Sequence, residues 1–520
     1  MLLNPNVRRR LTLVLTIATF ALPALTSLAL LVSRGSSLLE PPGRLLTTSG
    51  GESISLYNIM KVQRGRPLYE DPREPPNYPT TLYNAGFYQS YAAMTWPFRN
   101  ETDRLVLSIR LLTLVLACVG LSGLLGYVWI SLRREPPGKS TALAGSVTTL
   151  AAISVTLGAV PGWWLLTARP DVGAVAFCSL GLALALGARP GREWSIGLSS
   201  GVCFALAWSF KQSCVFILAG LLLSALVQRR GRFLVGLALP VVTVGVAFAA
   251  GLGPEYRYNA FFATSLSAFE LRNLPHLAAR LALKGAFPLT AAVFALLLLP
   301  RAHWLREDER TSLVACWWTS LIGGMVTCCR NGSELNYFFE LWVVVAFLAV
   351  TLARVMISTP PRSNLTGWRS SRLAMLALFC GSLVSAGADS ACLVGGGRFG
   401  NARLVMTDEE LTELENAKTL AVHANGAVFC QPALTGLAWD LPFPAYVYDD
   451  YPYFHTPALR KGLLHGQGLS GLIAHHHFRV LILQPDSLPL LEAAVDAGYV
   501  RQPRWSHFAV FAFPPSGPLH

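Results

Sequence analysis

A few short polar groups interrupt an otherwise apolar chain, and their residue types suit the handling of a proton and an anion. Glu52 stands first, followed by Asp71, Arg73 and Glu74 with Tyr78 close behind. Arg169-Pro170-Asp171 and Lys211-Gln212 come next, and the last group is Arg330-Asn331-Gly332-Ser333-Glu334-Leu335-Asn336-Tyr337. A carboxylate can take a proton from a hydroxyl, while guanidinium and ammonium groups hold phosphate-like anions. An ionisable group at or inside a bilayer costs up to roughly 2.5 to 3.5 kcal/mol on insertion scales, so each group beside an apolar run is a candidate functional residue.

The elements that must position these residues are membrane helices. Hydrophobic residues make up 52% of the chain and charged ones only 14%, a balance that a soluble core of this length does not have. Runs long enough to span fall at 11–32, 105–131, 142–165, 172–186, 194–209, 213–227, 233–251, 287–300, 312–328, 337–352 and 373–388, about eleven in all. Arg8, Arg9 and Arg10 precede the first run, which is longer than a signal-peptide core and is read as an uncleaved span.

Charge then sets the topology. The 42 Lys and Arg exceed the 29 Asp and Glu, giving +13. With the N-terminus inside, the inner loops carry Arg133, Arg134, Lys139, Arg189, Arg192, Arg229, Arg230 and Arg232 among others, whereas the short outer loops hold Arg169, Lys211 and Arg330. This asymmetry predicts N-in and, with an odd number of spans, C-out. The basic excess is therefore a topology signal and not a nucleic-acid patch. The candidate residues all fall on the outer side.

Two regions lie outside the spans. The first outer loop, 33–104, is about 70 residues long and rich in charge, tyrosine and proline, which marks a functional loop with juxtamembrane helices. Its rings Tyr83, Phe87, Tyr88 and Tyr91 recur at helical spacing and, with Tyr78 and Trp96, read as an interfacial belt on a surface helix. Arg110, just inside the second span, is expected to snorkel outward. After a Gly395-Gly396-Gly397 joint, residues 391–520 read as a small extracytoplasmic α/β domain beside the 1–390 membrane domain. Helices are expected near 407–418 and 488–497, and strands at 427–430, 479–483 and 508–513.

The cysteines show no metal-type spacing. Most sit in apolar runs as small hydrophobes, and Cys392 with Cys430 is the one pair in the final part, its bridging left open by the sequence. His475-His476-His477 are consecutive beside a strand, where three rings do not converge on one ion.

The polar groups resemble those of the C-type (GT-C) glycosyltransferases, multi-span enzymes that take a sugar from a polyprenyl-phosphate carrier on the outer side of the membrane. In that superfamily an acid opens the first outer loop, followed by a Gly-x-x-Leu-Tyr turn and a Tyr-Pro segment. The counterparts here are Glu52, Gly65-Arg66-Pro67-Leu68-Tyr69 and Tyr78-Pro79. Bacterial members similar to the lipid A aminoarabinose transferase, related to protein mannosyltransferases, also show Arg-Pro-Asp after the third span, Lys-Gln after the fifth and Gly-x-x-x-Asn-Tyr before a late span. Arg169-Pro170-Asp171, Lys211-Gln212 and Gly332 to Tyr337 match these in order over residues 51–340. One departure is that relatives often open the loop with two acids, and here Gly51 precedes Glu52.

The resemblance implies a donor lipid carrying a phosphate-linked sugar, a glycan, lipid or protein acceptor, surrounding membrane lipid, and a bacterial-type inner membrane with the site facing out. It implies Glu52 as the base, with Arg169, Lys211 and Arg330 around the phosphate. Asp71, Arg73, Glu74, Tyr78, Asp171, Gln212, Asn336 and Tyr337 would bind substrate. A sugar phosphate already carries a good leaving group, so cations matter more than a strong general acid. A positioned base is worth about 10²- to 10⁴-fold. No cofactor is fixed by the residues, and a divalent metal beside Glu52 stays open.

Structural alternatives stand beside each role. Glu52 would cap a helix at 53–62, Asp71 and Glu74 would pair with Arg73, Arg169 and Asp171 would lock a turn, Lys211 would snorkel, and Arg330 would anchor the following span. Other function classes are a secondary transporter or lipid flippase, or a non-enzymatic outer-face assembly protein. A transporter predicts charged or broken helices at the bilayer midplane and two related halves. The sequence keeps its charges at one edge and shows no internal repeat.

Overall fold

The protein is described by a computed structural model covering residues 5–39, 50–75, 81–133, 140–158, 160–187, 189, 191–263, 265–302, 304–330, 332–358, 365–394, 408–424, 426–430, 446–447, 455–483, 488–502 and 509–513. Helix α1 (Pro5–Leu39) is followed by α2 (Gly50–Gln63) and α3 (Ala85–Met94), and then by α4 (Thr102–Leu132) and α5 (Ser140–Thr156). The chain continues through α6 (Pro170–Leu186), α7 (Glu193–Phe210), α8 (Phe216–Val227) and α9 (Gly231–Gly251). The last helices of this part are α10 (Asn273–Lys284), α11 (Ala286–Leu298), α12 (Glu307–Cys328), α13 (Phe339–Ser358) and α14 (Leu365–Val394).

Each apolar run read from the sequence overlaps one of these helices. Among the described residues six helices are long and apolar enough to cross a membrane, and α10 with α11, bent by 89°, makes a seventh if taken as one span. The chain is an integral membrane protein. The span expected at 142–165 is broken: α5 stops at Thr156, and Gly162, at φ +49, turns the chain into a short 3-10 helix at Gly162–Leu166. Pro161 stands at the N-cap of that short helix. Beyond it Thr167 and Arg169 are extended, and α6 starts with Pro170 at its first turn. The break leaves Arg169 in extended chain and Asp171 in the first turn of α6, not within a continuous span.

The bundle is organised around α13. In the span Leu335–Ile357, 89% of the apolar window is buried, against 17% for Gly231–Gly251. A helix apolar on all sides belongs in the centre, and one with an exposed apolar surface faces lipid. Close helix approach uses small residues: Gly197 and Gly201 of α7 lie against α9, where an added Cβ would meet the Phe233 and Leu237 carbonyl oxygens at 2.6 Å. The Gly-x-x-x-Gly spacing lets the two backbones touch.

The ring-bearing helix α3 departs from the expected surface belt. Phe87, Tyr88 and Tyr91 are fully buried, Phe87 lies 6.0 Å from Phe210, and the Tyr91 hydroxyl bonds Thr113 at 2.9 Å. Three large rings on one helical face bury more area inside the bundle than at a lipid interface. Among the described residues of this set, Trp96 alone is exposed, at 46%. Tyr78 lies outside the described residues.

The C-terminal part comprises α15 (Asp408–His423), α16 (His455–Arg460), α17 (Gly468–Ala474) and α18 (Leu488–Asp496) around five strands. These are β1 (Ala427–Cys430), β2 (Tyr446–Val447), β3 (Phe478–Leu483), β4 (Val500–Arg501) and β5 (Ala509–Ala512), in the order β2-β1-β3-β5-β4. β1 pairs parallel with β2 and β3, while β5 runs antiparallel between β3 and β4. Phe429, Ile473, Phe478, Leu481, Ala494 and Phe511 form its core. The glycine joint at 395–397 and the Cys392 side chain lie outside the described residues. The three histidines each serve the packing: His475 Nδ1 bonds the Gly471 carbonyl, His476 Nε2 bonds that of Ala497, and the His477 ring stands edge-on to Phe478.

Candidate active site

Residues from separate helices meet at Asp171, in the first turn of α6. Lys211, in the turn after α7, brings its Nζ to 2.5 Å from Asp171 Oδ1. Asn336, in the 3-10 turn Leu335–Phe338 before α13, donates its Nδ2 to the same oxygen at 2.8 Å. Arg169 Nε lies 3.2 Å from Asp171 Oδ2 without a directed hydrogen bond. The Lys211 ammonium also sits 5.1 Å from the Tyr337 ring centroid. Arg169, Asp171, Lys211, Asn336 and Tyr337, drawn from three motifs, thus form one cluster, and Asp171 is 1% exposed. Buried charges of this kind persist only when paired and hydrogen-bonded.

Four members of the cluster, Asp171, Lys211, Asn336 and Tyr337, line a small cleft together with Cys214 and Glu340, with Val175, Ser213, Phe216 and Phe339 between them. Glu340 is the site residue that the motifs did not single out. Its carboxylate accepts the Val215 N–H at 3.0 Å and the Ile217 N–H at 2.8 Å, capping α8 from a neighbouring helix. A lone acid four residues after Asn336, entering an apolar run, was the available signal.

Glu52 is placed one layer behind. Its carboxylate is 0% exposed, meets Arg110 Nε at 3.1 Å and Nη2 at 3.3 Å, and accepts the Ala168 N–H at 3.0 Å. Arg110 therefore does not snorkel outward, since its guanidinium has a buried carboxylate to neutralise it within the bundle. Ala168 directly precedes Arg169, so this pair fixes the strand-like approach to the cluster. Thr113 adds a bond to the Thr167 carbonyl at 3.0 Å. Among the described residues no group of three or more His, Cys, Asp or Glu is placed to hold a metal ion.

The remaining described candidates lie outside the cleft lining. Gln212 donates to the carbonyls of Leu82 at 2.6 Å and Ala260 at 3.1 Å, tying the Lys211 turn to the first loop and to the π-helical segment Tyr258–Ala263. Tyr83, from the same loop, receives a 3.4 Å bond on its hydroxyl from Arg169. Asp71 and Arg73 form a two-bond pair at 2.8 and 2.6 Å, and Arg73 lies over the Tyr258 ring. The guanidinium hydrogen bonds hold the Asp71 carboxyl below the usual carboxylate range. Glu74 meets His465 of the C-terminal part at 2.6 Å, and the Arg73 carbonyl accepts the His465 N–H. Arg330 is not joined to the cluster by these contacts; its backbone pairs with Phe269, and its carbonyl accepts from Asn273.

The helical bundle with its cleft has the GT-C fold. The solved structures that share it include apo ArnT from Cupriavidus metallidurans, with a TM-score of 0.60, 12% identity and coverage of 95% of this chain and 98% of that one. The same protein bound to undecaprenyl phosphate gives 0.58 at 13% identity, covering 95% and 99%. The Archaeoglobus fulgidus oligosaccharyltransferase AglB, in complex with an inhibitory peptide and a dolichol-phosphate, gives 0.53 at 11% identity, covering 97% and 75%. No protein-family model and no curated protein matches the sequence.

Proposed function

We propose that the chain is a membrane glycosyltransferase that moves a sugar from a polyprenyl-phosphate carrier to a hydroxyl of a glycan, lipid or protein acceptor. About eleven crossings with the N-terminus inside, as the loop charges favour, put the cleft and residues 391–520 on the outer side of a bacterial-type plasma membrane. The observation that carries this reading is the meeting of Asp171, Lys211, Asn336 and Tyr337 in one cleft, with Arg169 paired to Asp171 beside it, in a fold shared with ArnT. ArnT has been solved with undecaprenyl phosphate and AglB with a dolichol-phosphate, which supports a lipid phosphate as the ligand here.

In this reading the acceptor oxygen attacks the sugar carbon, the bond to the phosphate oxygen breaks, and the electron pair leaves with the phosphate. Lys211 and Arg169 supply fixed positive charge where that negative charge develops. Glu340 takes the acceptor proton, because it is the cleft carboxylate whose partners are backbone amides and not cations. Glu52 acts as a positioning residue through Arg110 and the Ala168 amide.

The test is reconstitution of the full chain in liposomes with undecaprenyl phosphate carrying labelled glucose, mannose or arabinose, and a membrane glycolipid extract as acceptor. Consumption of one donor by the wild type and not by Lys211→Met supports the proposal. Passage of intact donor across the bilayer without consumption would make the protein a flippase instead.

A further inference from the structure

Two oxygens of residues that line the cleft are buried and receive no hydrogen bond from the protein: Asp171 Oδ2 and Asn336 Oδ1. Asp171 is 1% and Asn336 6% exposed, and both line the cleft. The amide orientation of Asn336 is set by chemistry, because Asp171 Oδ1 can only accept and so must face the Nδ2 group. That leaves Asn336 Oδ1 as an acceptor. Asp171 Oδ2 has Arg169 Nε at 3.2 Å for charge but no directed donor. A buried acceptor left unsatisfied is costly and rare, and one lining a cleft is a position for a ligand's donor.

We infer that this acceptor pair is a hydroxyl-reading subsite for the sugar of the donor lipid, separate from the cationic side of the cleft that takes the phosphate. A phosphate ester at neutral pH is an acceptor and is repelled by these two oxygens. An ammonium donor is disfavoured at Asp171 by Lys211 and Arg169, the two cations already held on that carboxylate. An uncharged hydroxyl satisfies both conditions. The subsite rests on the glycosyltransferase reading and refines it: the lipid phosphate alone should bind without using Asn336, whereas the glycosylated lipid should need it. Sites built to hydrogen-bond a hydroxyl discriminate strongly against ligands that lack it.

The experiment compares full-length wild type, Asn336→Leu and Asn336→Ala in detergent, titrated with undecaprenyl phosphate and with its glucose, mannose and arabinose conjugates. Melting temperature serves as the fold control. The expected result is that at least one conjugate binds the wild type more tightly than the bare phosphate lipid does. Both variants should lose about tenfold or more for that conjugate and stay within about twofold for undecaprenyl phosphate. Equal losses for both ligands, or none for either, would overturn the subsite while leaving the lipid-phosphate site in place. If the wild type binds none of these lipids, the glycosyltransferase reading itself fails, and the subsite with it.

Discussion

Arg110 and Glu52 form a buried two-contact ion pair, Nε to Oε1 at 3.1 Å and Nη2 to Oε2 at 3.3 Å, with neither side chain exposed. Because Glu52 Oε1 also holds the Ala168 amide, the pair links the first loop, helix α4 and the residue before Arg169. Removing one partner strands the other charge in the bundle. Glu52→Ala or Arg110→Ala should therefore each cost about 3 to 5 kcal/mol of stability, read as a lower melting temperature in detergent. The double substitution Glu52→Leu with Arg110→Met should recover much of that loss, yet leave turnover low because Ala168 and Arg169 lose their anchor. Recovery of turnover along with stability would remove Glu52 from any part in the reaction.

Lys211 is the cation most firmly built into the cleft, fixed by Asp171 and by the Tyr337 ring. Lys211→Met keeps the stem and removes the charge. In the proposed reaction it should weaken undecaprenyl-phosphate binding about tenfold or more and lower turnover further, since charge on the phosphate grows in the transition state. Asp171→Asn should also harm folding, because it leaves Lys211 and Arg169 without their counter-charge. Unchanged lipid binding in Lys211→Met would place the phosphate elsewhere.

The two carboxylates proposed for different parts can be separated by pH. If Glu340 takes the proton, turnover of the wild type falls on the acid side as Glu340 protonates, and Glu340→Gln is slow, by about 10²-fold or more, with that acid limb lost. Glu52→Gln, acting on position alone, should lower turnover by a similar factor at every pH and keep the limb. The reverse pattern, a lost limb in Glu52→Gln only, would return the base to Glu52.

Much of this architecture was legible in the sequence, because the signals were physical and local. Apolar runs mark the helices, and short polar motifs at the helix ends contain Arg169, Lys211 and Asn336, which the fold brings together. What was hidden depended on partners distant in sequence. Arg110 has a lone charge near a helix end, which reads as snorkelling until Glu52, 58 residues away, is seen to meet it. Phe87, Tyr88 and Tyr91 have the spacing of an amphipathic surface helix, and only the presence of Phe210 and Thr113 turns that face inward. Arg330 shares a motif with Asn336, yet Gly332, at φ +81, turns the chain between them, and the Arg330 backbone joins Phe269 and Asn273.

The C-terminal part carries its own pH dependence. Burial pushes the His455 ring from its ordinary 6.5 down to about 4, and its Nε2 accepts the Leu469 N–H at 3.3 Å, a bond that only the neutral ring can make. The folded-state value lies below the unfolded one, so the unfolded chain binds the proton first as pH falls. The stabilisation from neutral His455 is complete above about pH 6.5 and is lost progressively towards pH 4, at most about 3 kcal/mol in all. Hydrogen exchange of the full-length protein, corrected for intrinsic rates, should show protection in β1, β3 and α17 declining between pH 6.5 and 4.5 while α13 stays protected. His455→Gln, which cannot titrate, should flatten that decline. An identical decline in the variant would assign the acid sensitivity to another group, with the exposed His465–Glu74 contact the next to substitute.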